Sequence, residues 1–195
     1  MSGTGRLEAL SDGVFAIAAT LLVLDVHATG AGDLTHRLLQ AWPSYLAYAI
    51  SFLTIGIMWI NHHAVFQQIG RVDRRFLALN VVFLMVIAFL PFPTRVLAGH
   101  LRHDATTATV FYGLANVAMA CTYSTLWFYA ARGRRLLDPD ADERTVRGIS
   151  RAFLPGIPIY ALATASAFLS SWLALGLYGG LALFYLLESS LLARG

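Results

Sequence analysis

A helix that carries charges at one end and is long enough to cross a membrane is predicted for residues 6–26, RLEALSDGVFAIAATLLVLDV. About twenty mostly apolar residues suffice for a helix to cross a bilayer. Arg6, Glu8, Ser11 and Asp12 lie in its first turns. A charge in the hydrocarbon layer costs about 2.5–3.5 kcal/mol on insertion scales, so such groups normally face protein or water. We therefore predict that this helix lines a functional path.

Composition places the chain among integral membrane proteins, with 57% hydrophobic and 13% charged residues in 195. All 14 basic residues are arginines scattered between apolar runs, which argues against nucleic-acid binding. Cys121 is the only cysteine, so cysteines cannot form an intrachain disulfide or a zinc cluster. The lysine-free, arginine-rich composition favours a prokaryotic source and hence the cytoplasmic membrane.

Hydropathy predicts an all-α, polytopic membrane protein with about six spans in one transmembrane domain, residues 1–195. The spans are predicted near 7–26, 41–64, 76–97, 107–131, 150–171 and 172–193, and the last two form either separate spans or a hairpin. A signal peptide is rejected for the first span because Glu8 and Asp12 interrupt its apolar core. Pro91 and Pro93 are expected to end or kink the third span, and Pro155 and Pro158 are expected to act similarly in the fifth.

The distribution of arginines predicts that both termini are cytoplasmic, because cytoplasmic connections carry an excess of basic residues. Eleven arginines then lie inside: Arg6, Arg71, Arg74, Arg75, Arg132, Arg134, Arg135, Arg144, Arg147, Arg151 and Arg194. Only Arg37, Arg95 and Arg102 lie outside. Residues 132–150 are expected to be a solvated turn, and the acidic run within it lacks the glycine turn and distal glutamate of a calcium loop.

One stripe of the first helix collects Gly13, Ile17, Thr20, Leu21 and Leu24 at helical spacing. Helix packing is one interpretation, since apolar stripes build membrane bundles. A pore wall is the other, in which rings of these side chains from several copies form a hydrophobic constriction.

Polar residues are predicted to converge at the cytoplasmic ends of the first two spans, which run in opposite directions. The second span ends with Trp59, Asn61, His62 and His63, at the depth of Arg6, Ser11 and Asp12. Interfacial anchoring, a proton relay and a metal site are the alternatives for this network. Adjacent histidines point about 100° apart on a helix, which disfavours a shared metal.

Three motifs resemble the lysosomal potassium channel family, transmembrane protein 175 and its prokaryotic relatives. Arg6-x-x-x-Leu10-Ser11-Asp12-Gly13 is similar to the R-x-x-x-F-S-D motif of the first helix, with leucine replacing phenylalanine. The segments GIMWINHH, residues 56–63, and LPFPT, residues 90–94, resemble the ends of the second and third helices. The three motifs occur in family order.

The resemblance implies a channel selective for K⁺ over Na⁺, without a T-V-G-Y-G filter, whose pore is lined by the first helix. The implied constriction comprises Ile17, Thr20, Leu21 and Leu24. A single copy of the motif implies a homotetramer in the bilayer. No cofactor, metal or catalytic residue is expected, and H⁺ is a second candidate permeant ion.

Other classes of protein remain as alternatives. A proton-coupled transporter would use Asp12 with His62 or His63, although no internal repeat is evident. An enzyme is not expected because no G-x-S-x-G or H-E-x-x-H motif occurs. Asp25 is either a cation-concentrating group at the outer mouth or a solvated helix end.

Overall fold

The structure is a computed structural model that describes residues 3–28 and 31–192, with side chains described as far as residue 186. Its helices are α1 (Gly3–Leu21), α2 (Leu34–Gln40), α3 (Trp42–Phe66), α4 (Arg74–Phe89), α5 (Pro91–His100), α6 (Ala105–Ala131), α7 (Glu143–Phe153), α8 (Gly156–Ser166) and α9 (Ser171–Leu192). Short 3-10 turns follow α1 at Leu22–Asp25 and α6 at Arg132–Arg134. The all-α prediction is confirmed.

Three segments of the described chain are long and apolar enough to cross a membrane: Thr4–Asp25, Trp42–Phe66 and Arg74–His100. They correspond to the first three predicted spans. Ser171–Leu186 is apolar but shorter, while α6 has 27 residues and packs against α4, α5, α8 and α9. The count of six spans therefore stays a prediction for the second half. Arg194 and the end of the segment 172–193 lie outside the described residues.

Two helix breaks differ from the predicted spans. Pro91 does not simply terminate the third span, because it occupies the first turn of α5, where its missing N–H costs no helical hydrogen bond. The predicted span 150–171 is divided between α7 and α8, with the break at Leu154 and Pro155. The loop predicted over 132–150 is also partly helical, since Asp142 caps α7 by accepting from the Thr145 N–H.

Hydrogen bonds and one backbone bridge join the loops at the arginine-rich end of the bundle, where α1, α4 and α7 begin. We call Asp73, Tyr129, Ile69 and Leu137, which form these contacts, the clasp. Asp73 caps α4 by accepting from the Phe76 N–H at 2.8 Å, and it also accepts from the Tyr129 hydroxyl at 2.6 Å. An isolated antiparallel bridge pairs Ile69 with Leu137. Gly70 is required beside this bridge because a Cβ there would lie 2.7 Å from the Asp138 Cα. The clasp thereby fixes the ends of α3, α4 and α6.

The opposite half of the bundle holds two neighbouring sets of buried hydroxyls, one on three helices and one on two, which the rings of Tyr112 and Tyr178 bring into contact. We call the two sets together the outer cluster, and its members are Ser51, Thr94, Tyr112, Thr164 and Tyr178. Ser51 Oγ lies 2.8 Å from Thr94 Oγ1 and 3.1 Å from the Tyr112 hydroxyl, while Thr164 Oγ1 lies 2.8 Å from the Tyr178 hydroxyl.

Close helix approach at the outer cluster depends on Gly113 of α6. A Cβ at this position would overlap the Tyr178 hydroxyl and the Thr164 side chain. The absence of a side chain therefore lets α8 and α9 pack directly on α6.

Candidate pore-lining site and its polar support

Helix α1 has one face that its own protomer covers and one that it leaves open. Leu7, Ser11, Phe15, Ala18 and Leu22 are buried. The predicted stripe lies on the open side, where Ile17 is 61%, Leu21 41% and Leu24 65% exposed, and Thr20 and Gly13 are exposed too. The protomer thus presents an apolar helix face that is available to other copies or to lipid.

The end of α1 aligns the last members of this stripe. Residues 22–25 form a 3-10 turn, in which side chains three positions apart lie directly above one another. This winding places Leu24 above Leu21. The Thr20 hydroxyl is within 2.9 Å of the carbonyl oxygens of both Ala16 and Ile17, so its proton is donated to the helix itself. Its oxygen lone pairs remain free to accept or to coordinate a cation.

A buried hydrogen-bonded chain ties the covered face of α1 to two other helices. Asn80 Nδ2 donates to Ser11 Oγ at 3.1 Å, and Asn80 Oδ1 lies 3.2 Å from His62 Nε2. Ser11 Oγ also donates to the Leu7 carbonyl at 2.9 Å. We call Ser11, His62 and Asn80 the inner cluster. It fixes the rotation of α1 because α1, α3 and α4 each supply one member.

Aromatic rings enclose the imidazole of His62. Its centroid lies 4.1 Å from that of Phe66, 5.5 Å from Phe15, 5.9 Å from Phe83 and 6.5 Å from Tyr123. His62 is only 2% exposed. The ring is therefore packed and oriented, without an open path to solvent inside the protomer.

A second contact joins the exposed rims of α1 and α3. Trp59 Nε1 donates to Asp12 Oδ1 at 2.8 Å, which gives the carboxylate a partner on the neighbouring helix. His63 does not join this contact by a hydrogen bond, since its Nε2 lies 3.0 Å from Gln67 Nε2 on its own helix. Among the residues that the structure describes, Asn61 and Arg6 form no side-chain hydrogen bond or ion pair.

The predicted network therefore divides, and its central member was missed. Ser11 and His62 meet through Asn80, whereas Asp12 and Trp59 meet directly. The predicted network included residues of the first two spans only, and it did not include Asn80 of α4. The available signal was an amide in the middle of the apolar run FLALNVVFLMV, because polar groups inside spans normally have partners.

The outer end of α1 carries an ion pair. Asp25 Oδ1 lies 3.5 Å from Arg95 Nε, a partner that neither interpretation of Asp25 included. The pair borders an open cleft of about 430 Å³ that Leu21, Leu24 and Phe92 also line. No group of three or more His, Cys, Asp or Glu side chains suited to a metal occurs within residues 3–28 and 31–186.

Comparison with known proteins relates this chain to a channel family. Residues 6–91 match the family profile described as the endosomal/lysosomal potassium channel TMEM175. A potassium channel of Streptomyces collinus is 47% identical over 190 residues, covering 95% of this chain and 92% of the relative. A potassium channel of Chamaesiphon minutus is 42% identical, covering 97% and 96%.

A solved structure matches the fold over almost the same extent. The crystal structure of a lysosomal potassium-selective channel TMEM175 homologue from Chamaesiphon minutus superposes with a TM-score of 0.88 at 39% identity. The match covers 97% of this chain and 99% of that chain. Profile, relatives and structure agree with the three motifs, and the chain belongs to the TMEM175 channel family.

Proposed function

We propose that this protein is a K⁺-selective channel that conducts passively along the open face of α1. The observation that carries the proposal is the division of α1 into a covered face fixed by the inner cluster and an open apolar stripe at Ile17, Leu21 and Leu24. The names of the two bacterial relatives that match nearly the whole chain, both potassium channels, support the choice of ion.

The proposed assembly is a homotetramer in the lipid bilayer of a prokaryotic cell. One helix cannot enclose a path, so rotational symmetry must supply the other walls. In this proposal residues 1–195 form one channel domain of six spans, and the excess of arginines in alternate connections supports a cytoplasmic location for both termini. No cofactor is required, and the partners are other copies, lipid and monovalent cations.

In this assembly the ring of Ile17 side chains forms the principal constriction, which Leu21 and Leu24 extend. K⁺ loses its hydration water at a lower cost than Na⁺, so a narrow throat with weak ligands favours K⁺. Thr20 contributes acceptor oxygens, since its proton is already donated to α1. Selectivity then follows from dehydration, without a carbonyl filter.

The polar residues of the motifs have a supporting role in this proposal. Ser11, Asn80 and His62 hold the covered face of α1, and the contact between Asp12 and Trp59 holds its rim. A proton-coupled transporter would need His62 to exchange protons with water. The four surrounding aromatic rings disfavour that role.

The test is cation flux from liposomes under opposed K⁺ and Na⁺ gradients, for the wild type and for Ile17→Asn. An amide at the constriction adds ligands for Na⁺ and wets the throat, so the K⁺/Na⁺ permeability ratio should fall about tenfold, equivalent to ~1.4 kcal/mol. Leu114→Asn is the matched control, because Leu114 is 56% exposed on α6, away from the stripe.

Three results would count against the proposal. An unchanged permeability ratio in Ile17→Asn would remove Ile17 from the constriction. An equal loss in Leu114→Asn would indicate a general effect of polarity in the membrane. Flux that requires a proton gradient and saturates with substrate would instead support a transporter.

A further inference from the structure

An open cleft of about 590 Å³ lies on the flank of the bundle, between α6 and the start of α8. Phe128, Leu154 and Ile157 give it apolar walls, Cys121 and Thr125 lie along its length, and Arg132 lies at its arginine-rich end. We call it the α6–α8 cleft. Its lining residues do not include any member of the α1 stripe.

The break between α7 and α8 creates this cleft. Phe153, the last residue of α7, stays against α6, with its ring centroid 4.8 Å from Tyr123 and 6.2 Å from Trp127. Helix α8 begins only at Gly156, after the turn at Pro155. The segment between Phe153 and Gly156 therefore turns away from α6 before α8 packs on it, and the cleft lies at this break.

Arg132 has no carboxylate or carbonyl partner among the described residues, in contrast to three of the neighbouring arginines. Arg135 pairs with Asp73 at 3.6 Å, and Arg147 pairs with Glu143 at 3.4 Å. Arg134 donates to the Ala141 carbonyl at 2.9 Å. None of the described residues that line the cleft is acidic, and its charged end carries the positive Arg132.

The end of α6 indicates the depth of the positive end of the cleft in the proposed six-span arrangement. Helix α6, a predicted span, ends at Ala131 directly before Arg132, and arginines near the ends of spans extend to the headgroup layer. The positive end of the cleft is therefore at headgroup depth, and its apolar walls extend towards the hydrocarbon layer.

We propose that the α6–α8 cleft binds an anionic phospholipid, with an acyl chain along Phe128 and Ile157 and the phosphate on Arg132. A guanidinium matches a phosphate with two parallel hydrogen bonds. Arg151, in the last turn of α7, adds a second charge at the same end of the bundle that has no ion-pair partner among the described residues. The excess positive charge selects anionic over zwitterionic headgroups.

Cys121 provides the readout, because it is the only cysteine of the chain and lines the cleft. The experiment measures the rate of Cys121 alkylation by N-ethylmaleimide in the purified full-length protein, in a neutral detergent. Phosphatidylglycerol should slow alkylation at about fivefold lower concentration than phosphatidylcholine with the same acyl chains. Soluble glycerol phosphate, which lacks acyl chains, should give no protection.

Two variants separate a specific site from general attraction of negative lipid. Arg132→Gln should abolish the preference for phosphatidylglycerol. Arg74→Gln is the matched control, because Arg74 is an exposed arginine at the same end of the bundle and should keep that preference. A native-like thermal unfolding midpoint confirms that each variant is folded.

The proposal would be overturned by equal protection from the two phospholipids, or by equal effects of the two arginine substitutions. It would also be overturned if Cys121 were protected without added lipid in the oligomer alone, which would identify a neighbouring subunit as the occupant. Protection by free glycerol phosphate would identify a soluble anion instead.

Discussion

The inner and outer clusters are both buried hydrogen-bonded groups, but they hold different parts of the molecule. The inner cluster connects α1 to α3 and α4 through a single amide, Asn80. The outer cluster joins α3, α5 and α6 through one set of hydroxyls and α8 and α9 through another, and the rings of Tyr112 and Tyr178 link the two sets at 5.4 Å.

The two clusters differ in how much they depend on a single side chain. In the outer cluster Ser51 keeps Thr94 as a partner if Tyr112 is removed, so the loss of one group is partly compensated. In the inner cluster both links to α1 and α3 pass through Asn80. We therefore expect the outer cluster to contribute to stability alone, and the inner cluster to set the position of the conducting face as well.

Asn80→Ala should give the largest effect. It leaves the Nε2 of His62 without its partner in an aromatic enclosure, and a buried unsatisfied group costs about 1–3 kcal/mol. Thermal unfolding in detergent should show a lowered midpoint, and the K⁺/Na⁺ permeability ratio of the folded fraction should change. Asn61→Ala is the control, since that half-buried amide forms no hydrogen bond with described residues. A normal permeability ratio in Asn80→Ala would separate the inner cluster from the conducting face.

Tyr112→Phe should have a smaller effect of a single kind. It removes one hydroxyl from the outer cluster while Ser51 and Thr94 stay paired, so the loss of stability should be about 0.5–1.5 kcal/mol. The permeability ratio should match that of the wild type. A change in selectivity as large as that of Asn80→Ala would remove the distinction between the clusters.

Asp73→Asn should give the smallest effect, and one that depends on pH. Hydrogen bonds from the Tyr129 hydroxyl and the Phe76 N–H lower the pKa of Asp73 below its ordinary value of 3.8. Because the pKa of Asp73 is lower in the folded state, its ionised carboxylate stabilises the protein, and this contribution is complete above the ordinary pKa. The contribution is lost as the pH falls through the folded-state pKa. The difference in unfolding midpoint between wild type and variant should therefore be constant near neutral pH and shrink below about pH 4.

The control for this titration is Asp104→Asn. Asp104 precedes α6, but its side chain forms no cap hydrogen bond. An equal pH dependence in both variants would assign the effect to general charge rather than to the clasp.

The features predicted best from the sequence are those that depend on residue spacing within one helix or on the direction of consecutive spans. Helical spacing alone places Ile17, Leu21 and Leu24 on one face, and opposite span directions bring Asp12 near Trp59. The inner and outer clusters depend on which helices become neighbours, and spacing within one segment does not contain that information. Asn80 and Tyr112 were missed for this reason.

Helix ends in the second half were predicted least well. Pro155 signalled a break, but hydropathy merged the end of α7, the break and α8 into one span because Arg151 is the single charged residue in 150–171. The charged loop concealed the start of α7, although Asp142 followed by Thr145 provides its cap. The end of α7 could not be predicted in this way, because it depends on the packing of Phe153 on α6.

The central claim is that one open face of α1 conducts. The most direct measurement is block of K⁺ flux by a cationic methanethiosulfonate reagent applied to Leu24→Cys and Val23→Cys, each in a Cys121→Ser background. Leu24 and Val23 are 65% and 52% exposed, but they point in different directions. Block of Leu24→Cys with little effect on Val23→Cys is predicted, whereas equal block of both, or block of Val23→Cys alone, would contradict the account.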